Sequence, residues 1–291
     1  MYDSATRKIV GILLILSMII MVSSCSGSGN NKKSEEKPMV SILYPNWAEG
    51  IAFTYLAKAA LEANKFDVKL TNLEPGLIYG ELSKTNSKGD VFLDAWLPNT
   101  HKDYWAKYGD KLVKLGEAFS EGTTGLVVPD YVTISSIPQL NDYKDKFDSE
   151  IIGIGAGAGI HESTEKAIKA YNLDFRQVTS SGPAMVASLE KAIKNNEWIV
   201  VTGWKPHFMW ANLDLKYLKD PKNIFPKDVC AIISRRGFKE DMPKAATFFE
   251  NFNLTEDQLY NLMGKIREKD QEQGAKEWYQ ENKSMVDGWF K

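Results

Sequence analysis

Short apolar runs rich in β-branched and aromatic residues alternate along this chain with longer stretches whose apolar residues recur at helical spacing. That alternation restricts the fold more than any other feature. Met39-Val40-Ser41-Ile42-Leu43-Tyr44 reads as a strand, and residues 52–63 follow it with apolar positions three and four apart. Asp67-Val68-Lys69-Leu70 and the segment from 89 to 95 are further strands. A second series starts at Glu150-Ile151-Ile152-Gly153-Ile154-Gly155, runs through helical stretches at 163–171 and 183–194, and ends on Trp198-Ile199-Val200-Val201. Strand, helix, strand units of this kind close through right-handed crossovers onto a mainly parallel sheet. Two series predict two α/β lobes, with the strands at 124–129 and 229–233 crossing between them. A helical tail follows, where Thr255 and Gln258 form a capping box ahead of Leu259, Leu262, Met263 and Ile266.

The length of 291 residues and the 43% apolar and 25% charged content suit a folded protein of this kind, and the net charge of −2 provides no basic face for nucleic acid or an anionic membrane. Arg7 and Lys8 precede an apolar stretch at 9–22 that is too short to span a bilayer comfortably but suits the core of a signal peptide, here residues 1–24. Val22-Ser23-Ser24-Cys25 resembles the lipobox of bacterial lipoproteins, which implies a lipid on Cys25 and a polar tether over 25–38. Cys230 is then the remaining one of two cysteines, so core burial rather than a disulfide holds the fold, with Cys230 a small buried apolar side chain.

The chemistry starts from tryptophan. Trp47, Trp96 and Trp204 each follow a strand-like run in polar turn sequence, at the carboxyl ends of strands where α/β sheets open to ligands. A quaternary ammonium has a charge but no N–H donor, so aromatic faces grip it where hydrogen-bond acceptors do not, at about 0.5–2 kcal/mol each when desolvated. Trp105, Trp198, Trp210, Trp278 and Trp289 lack such placement and read as packing residues. The run from Gly153 to Ile160 lies between a strand and a helix start, where backbone N–H groups approach an anion closely. Read instead as Gly153-x-Gly155-x-x-Ala158 with Asp174 it matches a dinucleotide fingerprint loosely, but an exported chain meets no NAD pool. His101, five residues after Trp96, is a candidate donor to the same anion. Three scattered histidines and one spare cysteine argue against a metal site, and no nucleophile-elbow or phosphate-loop motif occurs. No cofactor is implied.

A cation cage and an anion nest in one chain specify a zwitterion. Asp94-Ala95-Trp96-Leu97-Pro98 with His101, Gly157-Ala158-Gly159-Ile160, and Thr202-Gly203-Trp204-Lys205-Pro206-His207 resemble the signatures of glycine betaine-binding proteins of osmoprotectant ABC transporters, from about residue 40 to the C-terminus. The resemblance implies a two-lobe periplasmic-binding-protein fold (type II) with the ligand in the interlobe cleft. It also implies a prism of Trp47, Trp96 and Trp204 around the trimethylammonium group, and a carboxylate held by the N–H groups of Gly159 and Ile160 and by His101. Some members of that family are circularly permuted; here the Trp47 and Trp96 lobe comes first. Phe208-Met209-Trp210 and His161 depart from the family's pattern.

The expected division is lobe 1 over 39–135 and 222–291 and lobe 2 over 136–221. The expected function is that of a monomeric extracytoplasmic receptor, held on the membrane through its lipid, that delivers glycine betaine to an ABC permease and its ATPase subunit. Rivals within that class are proline betaine, carnitine and choline. An exported esterase acting on a choline-like substrate would need Ser163 and His161 as nucleophile and base, adjacent at a helix start where they do not naturally face each other. An adhesin or structural lipoprotein would need none of the pocket residues.

Overall fold

Among the described residues the chain forms nine strands and a set of flanking helices whose order follows the alternation in sequence. The computed structural model describes residues 37–291; the signal peptide, Cys25 and the tether up to residue 36 lie outside the described residues. Strand β1, Met39–Tyr44, is buried along its middle and leads into helix α1, Ala48–Ala63, which turns Ala52, Phe53, Leu56, Ala57, Ala60 and Leu61 inward at helical spacing. Strand β2, Asp67–Asn72, lies parallel to β1, and helix α2, Pro75–Leu82, starts on a proline whose fixed φ suits a first turn. Every residue of β3, Val91–Leu97, is buried. Helix α3 covers Lys102–Tyr108 and the long strand β4 covers Leu112–Pro129.

The second series forms β5 (Glu150–Ile152), α4 (Gly159–Ala170), β6 (Arg176–Val178), α5 (Gly182–Asn195), β7 (Val201–Lys205) and β8 (Leu215–Tyr217), and β9 (Asp228–Arg235) returns to the first. The sheet order is β2-β1-β3-β9-β4-β7-β5-β6, with β8 beside β4. The parallel units expected from the sequence are present as β1 with β2 and β3, and β5 with β6 and β7. Strands β4 and β9 add antiparallel ladders between them, so the sheet is mixed.

Strand β4 joins both halves. Leu112 to Gly122 pair with β9, and Thr123 to Val127 pair with β7. The change of partner sits at Gly122, where a Cβ would lie 2.9 Å from the Asp228 carbonyl oxygen and 3.0 Å from Trp96 Cζ3, so only glycine allows so close an approach. Strand β4 thus changes its pairing partner from β9 to β7 within one continuous strand. The 229–233 strand does not cross: β9 pairs with β3 and β4 on the first side, and the return is made by the chain before Asp228.

Two strand ends also move. The run at 198–201 was expected to end a strand before Trp204, but β7 includes Trp204, and β3 includes Trp96. Thr202-Gly203 has turn-like composition yet pairs with Leu126 and Gly125, because the β4 ladder satisfies its backbone in a buried position. The C-terminal helices Glu256–Glu268 and Gln271–Glu281 pack against α1, and the expected Thr255/Gln258 capping box forms. Among the described residues no helix is long and apolar enough to cross a membrane.

Candidate functional site

Trp47 is the first of the three indoles to be positioned. Strand β1 ends at Tyr44, and Trp47 takes the extended N-cap position of α1. Trp96 and Trp204 sit next to last in β3 and β7, each 3% exposed, and so belong to the strands themselves rather than to the turns beyond them. Despite that difference in local setting, all three meet on the wall of one cavity, with His101, Gly159 and Ile160. Every residue singled out from sequence for the ligand therefore lines the same space. Thr100, Thr124, Ile154, Ala158 and Glu49 complete the wall.

One end of the cavity presents N–H groups. Gly159 and Ile160 are the first two residues of α4, where N–H groups have no intrahelical acceptor and the helix dipole is positive. His101 is fully buried, and its Nδ1 accepts the Trp96 backbone N–H at 3.0 Å. A nitrogen that accepts must be unprotonated, so the proton of a neutral ring lies on Nε2, which has no partner. Burial pushes the imidazole pKa down to about 3, which keeps the ring neutral at physiological pH. The result is a single N–H donor on the cavity wall, fixed in tautomer by the strand that carries Trp96.

The loop that carries His101 is itself tied down. Asp228, at the start of β9, accepts from the Asn99 N–H at 2.6 Å, the Thr100 N–H at 3.0 Å and the Thr100 hydroxyl at 2.5 Å. The Thr100 carbonyl then lies against Gly159: a Cβ on Gly159 would stand 2.7 Å from the Thr100 carbonyl carbon and 2.6 Å from its Cγ2. Tyr104 of α3 donates its hydroxyl to the Gly157 carbonyl at 2.8 Å. The Thr100–Gly159 and Tyr104–Gly157 contacts bring the loop after β3 and helix α3 against the segment that opens α4.

On the opposite wall Trp204 Nε1–H donates to Glu49 Oε2 at 2.8 Å. Sequence reasoning missed Glu49, because an acidic residue in the first turn of a helix ordinarily reads as solvated dipole complement. Its one signal is its position two residues after Trp47. The other tryptophans stay off the cavity wall. Trp278 and Trp289 belong to the core beside α1, and Trp198 packs on Phe147. Trp210 supports the site from behind, donating Nε1–H to the Trp204 carbonyl at 2.7 Å and packing on Tyr217.

The remaining histidines have different settings. His207 lies edge-on to Trp204 at 4.7 Å between centroids, and its Nδ1 accepts the Met209 N–H at 3.1 Å. Burial, with Arg267 nearby, drives its pKa down to about 3, so it braces the indole as a neutral ring. His161 is outside the cavity wall, and its carbonyl accepts from Gln177.

Comparison with known proteins agrees with this geometry. A family described as the substrate binding domain of ABC-type glycine betaine transport systems matches residues 38–281. The glycine betaine/carnitine transport binding protein GbuC of Listeria monocytogenes serotype 1/2a (strain 10403S) is 39% identical over 163 residues, 54% of each chain, so the match spans about half the length of that relative. Lactococcal OpuAC, in its closed-liganded conformation complexed with glycine betaine, superposes with a TM-score of 0.82 at 36% identity, over 87% of this chain and 100% of that one. The glycine/betaine/L-proline-binding protein ProX of Borrelia burgdorferi gives 0.82 at 33% identity over the same shares.

Proposed function

The chain belongs to the family of substrate-binding domains of ABC-type glycine betaine transport systems, and on that premise we propose that it is the extracytoplasmic receptor that binds glycine betaine and delivers it to an ABC permease with its ATPase subunit. It is a transport receptor and not an enzyme. The observation that carries this reading is the convergence of three indoles, the unpartnered Nε2–H of His101 and the start of α4 on one cavity. A trimethylammonium group fits between Trp47, Trp96 and Trp204, which together contribute about 2–6 kcal/mol before ordering costs. The carboxylate takes the Gly159 and Ile160 N–H groups and His101. Each is a donor already held in place, so little is lost in organising it.

The two-lobe fold supports a closing mechanism. We divide the lobes by strand pairing, with β1 to β3, β9 and the first part of β4 on one side and β5 to β8 with the end of β4 on the other. Trp47, Trp96 and His101 then face Trp204, Gly159 and Ile160, and a ligand that touches both groups binds the closed form better than the open one. That differential affinity is what a permease reads. We further propose that Cys25 carries a lipid that holds the receptor at the membrane surface, and that it works as a monomer.

Titration calorimetry of glycine betaine against the wild type and Trp204→Ala tests the site. Stoichiometric binding without turnover, weakened at least tenfold in the variant, is expected; equal affinity in the two proteins removes the cage assignment. Proline betaine, carnitine and choline belong in the same panel. Strong choline binding with no betaine binding would leave the α4 N–H groups and His101 a purely structural role.

A further inference from the structure

Besides neutral His101, Glu49 is the titratable side chain on the cavity wall among the described residues, and no lysine or arginine lines that wall. Glu49 is wholly buried; Oε2 accepts from Trp204, and Oε1 has no partner. Behind it lies a second carboxyl, Asp94 of β3, 1% exposed and with neither oxygen hydrogen-bonded. The other groups around the pair are Tyr79 of α2, and Cys230 and Asp228 of β9, none of them cationic. Burial pushes Glu49 up to about 8, with the Trp204 hydrogen bond opposing. Burial, then the neighbouring Glu49, push Asp94 well above the ordinary carboxylate range, with Cys230 and Trp96 opposing, so the pair does not hold two negative charges.

Glu49 stands on α1 and the indole that hydrogen-bonds it comes from β7, so under the lobe division proposed above its full burial needs the two lobes together. Closing over an empty cavity therefore strands a carboxylate away from water with no counter-charge, which is strongly unfavourable. A quaternary ammonium in the indole cage supplies that charge without donating a hydrogen bond. A proton taken from solvent by Glu49 removes the need for it.

We propose that Glu49 makes closure conditional on positive charge, so that the cleft closes over a bound cation or over a protonated Glu49, but not over an ionised Glu49 alone. The inference rests on the betaine-receptor reading and adds to it a sensor that distinguishes filled from empty. The direction with pH follows from the raised pKa in the closed form. Empty closure takes up one proton, is favoured at low pH, and is lost as pH rises through about 8. Cation binding has the opposite trend, because a protonated Glu49 no longer attracts the ammonium.

Small-angle scattering of the ligand-free protein and calorimetry with glycine betaine, both at pH 8.5 and pH 5.5, test this on wild type and Glu49→Gln. Glutamine keeps an acceptor for Trp204 and removes the charge. The ligand-free wild type should compact as pH falls, with the closed-to-open ratio rising up to about tenfold per pH unit, and its betaine affinity should fall severalfold. Glu49→Gln should show the same scattering and the same affinity at both pH values. Wild-type scattering that does not change with pH, or parallel pH dependence of affinity in the two proteins, overturns the proposal while the receptor reading stands. If the wild type fails to bind betaine at either pH, the receptor reading falls and this inference with it. The wild-type scattering alone decides the matter should the variant not fold.

Discussion

Replacing Gly159 by alanine should separate ligand binding from folding. Gly159 opens α4 with an ordinary helical backbone, so alanine meets no conformational barrier there, and the loss of glycine's freedom in the unfolded chain stabilises by about 0.4–1 kcal/mol. In the closed form the new Cβ would stand 2.7 Å from the Thr100 carbonyl carbon and 2.6 Å from its Cγ2, well inside ordinary contact distance. Thr100 has little room to retreat, since Asp228 holds both its N–H and its hydroxyl. An overpacked contact of this kind costs about 1–3 kcal/mol, and because it arises only when the loop before α4 meets the loop after β3, the cost falls on closure. The dissociation constant for glycine betaine should therefore rise about 5- to 150-fold, while the ligand-free Tm stays level or rises by a few degrees. Calorimetry gives the first quantity and differential scanning calorimetry the second. An unchanged affinity would refute the argument, because it would mean that the Gly159–Thr100 contact is not part of the ligand-bound form. A fall in ligand-free Tm equal to the loss in binding would refute it as well, by showing that the contact belongs to the fold rather than to closure.

His101→Phe keeps a ring in place but removes the Nε2–H, and should weaken glycine betaine about 10- to 150-fold with a much smaller effect on choline, which has no carboxylate; equal losses for both in calorimetry would move His101 off the anion. Asp228→Ala leaves the Asn99 and Thr100 N–H groups and the Thr100 hydroxyl without their acceptor, at about 2–3 kcal/mol. A fall in Tm of about 4–10 °C is expected, together with weaker betaine binding, since the same loop carries His101. Cys25→Ala should release the receptor from the membrane fraction and abolish incorporation of labelled fatty acid, with betaine binding by the released protein unchanged; continued labelling would place the lipid elsewhere.

Much of the site was legible in the chain because indole, glycine and imidazole are unusual choices at the positions where they occur. Trp47, Trp96 and Trp204 stand at or just beyond the ends of β1, β3 and β7, and Gly159-Ile160 at a helix start, so local pattern alone picked out residues that line one cavity. The strand ends differ in detail, since the β4 ladder draws Thr202-Gly203-Trp204 into β7 against their turn-like composition. Pattern carries the periodicity of a segment, not the identity of the strand that will satisfy its backbone.

Three things required the tertiary structure. The change of partner at Gly122 depends on how closely β4 approaches Asp228 and Trp96, residues remote in sequence from one another. The tautomer of His101 depends on the Trp96 N–H that reaches its Nδ1. Glu49 is the clearest case: in sequence it is one acidic residue among 38 Asp and Glu, unremarkable in the first turn of a helix. The sequence by itself determined which kinds of side chain are available for a zwitterion and on which strand units they stand. Only the fold decided that Glu49 meets Trp204 and is shut away from water, because desolvation is a property of everything that surrounds a charge and no segment carries it alone.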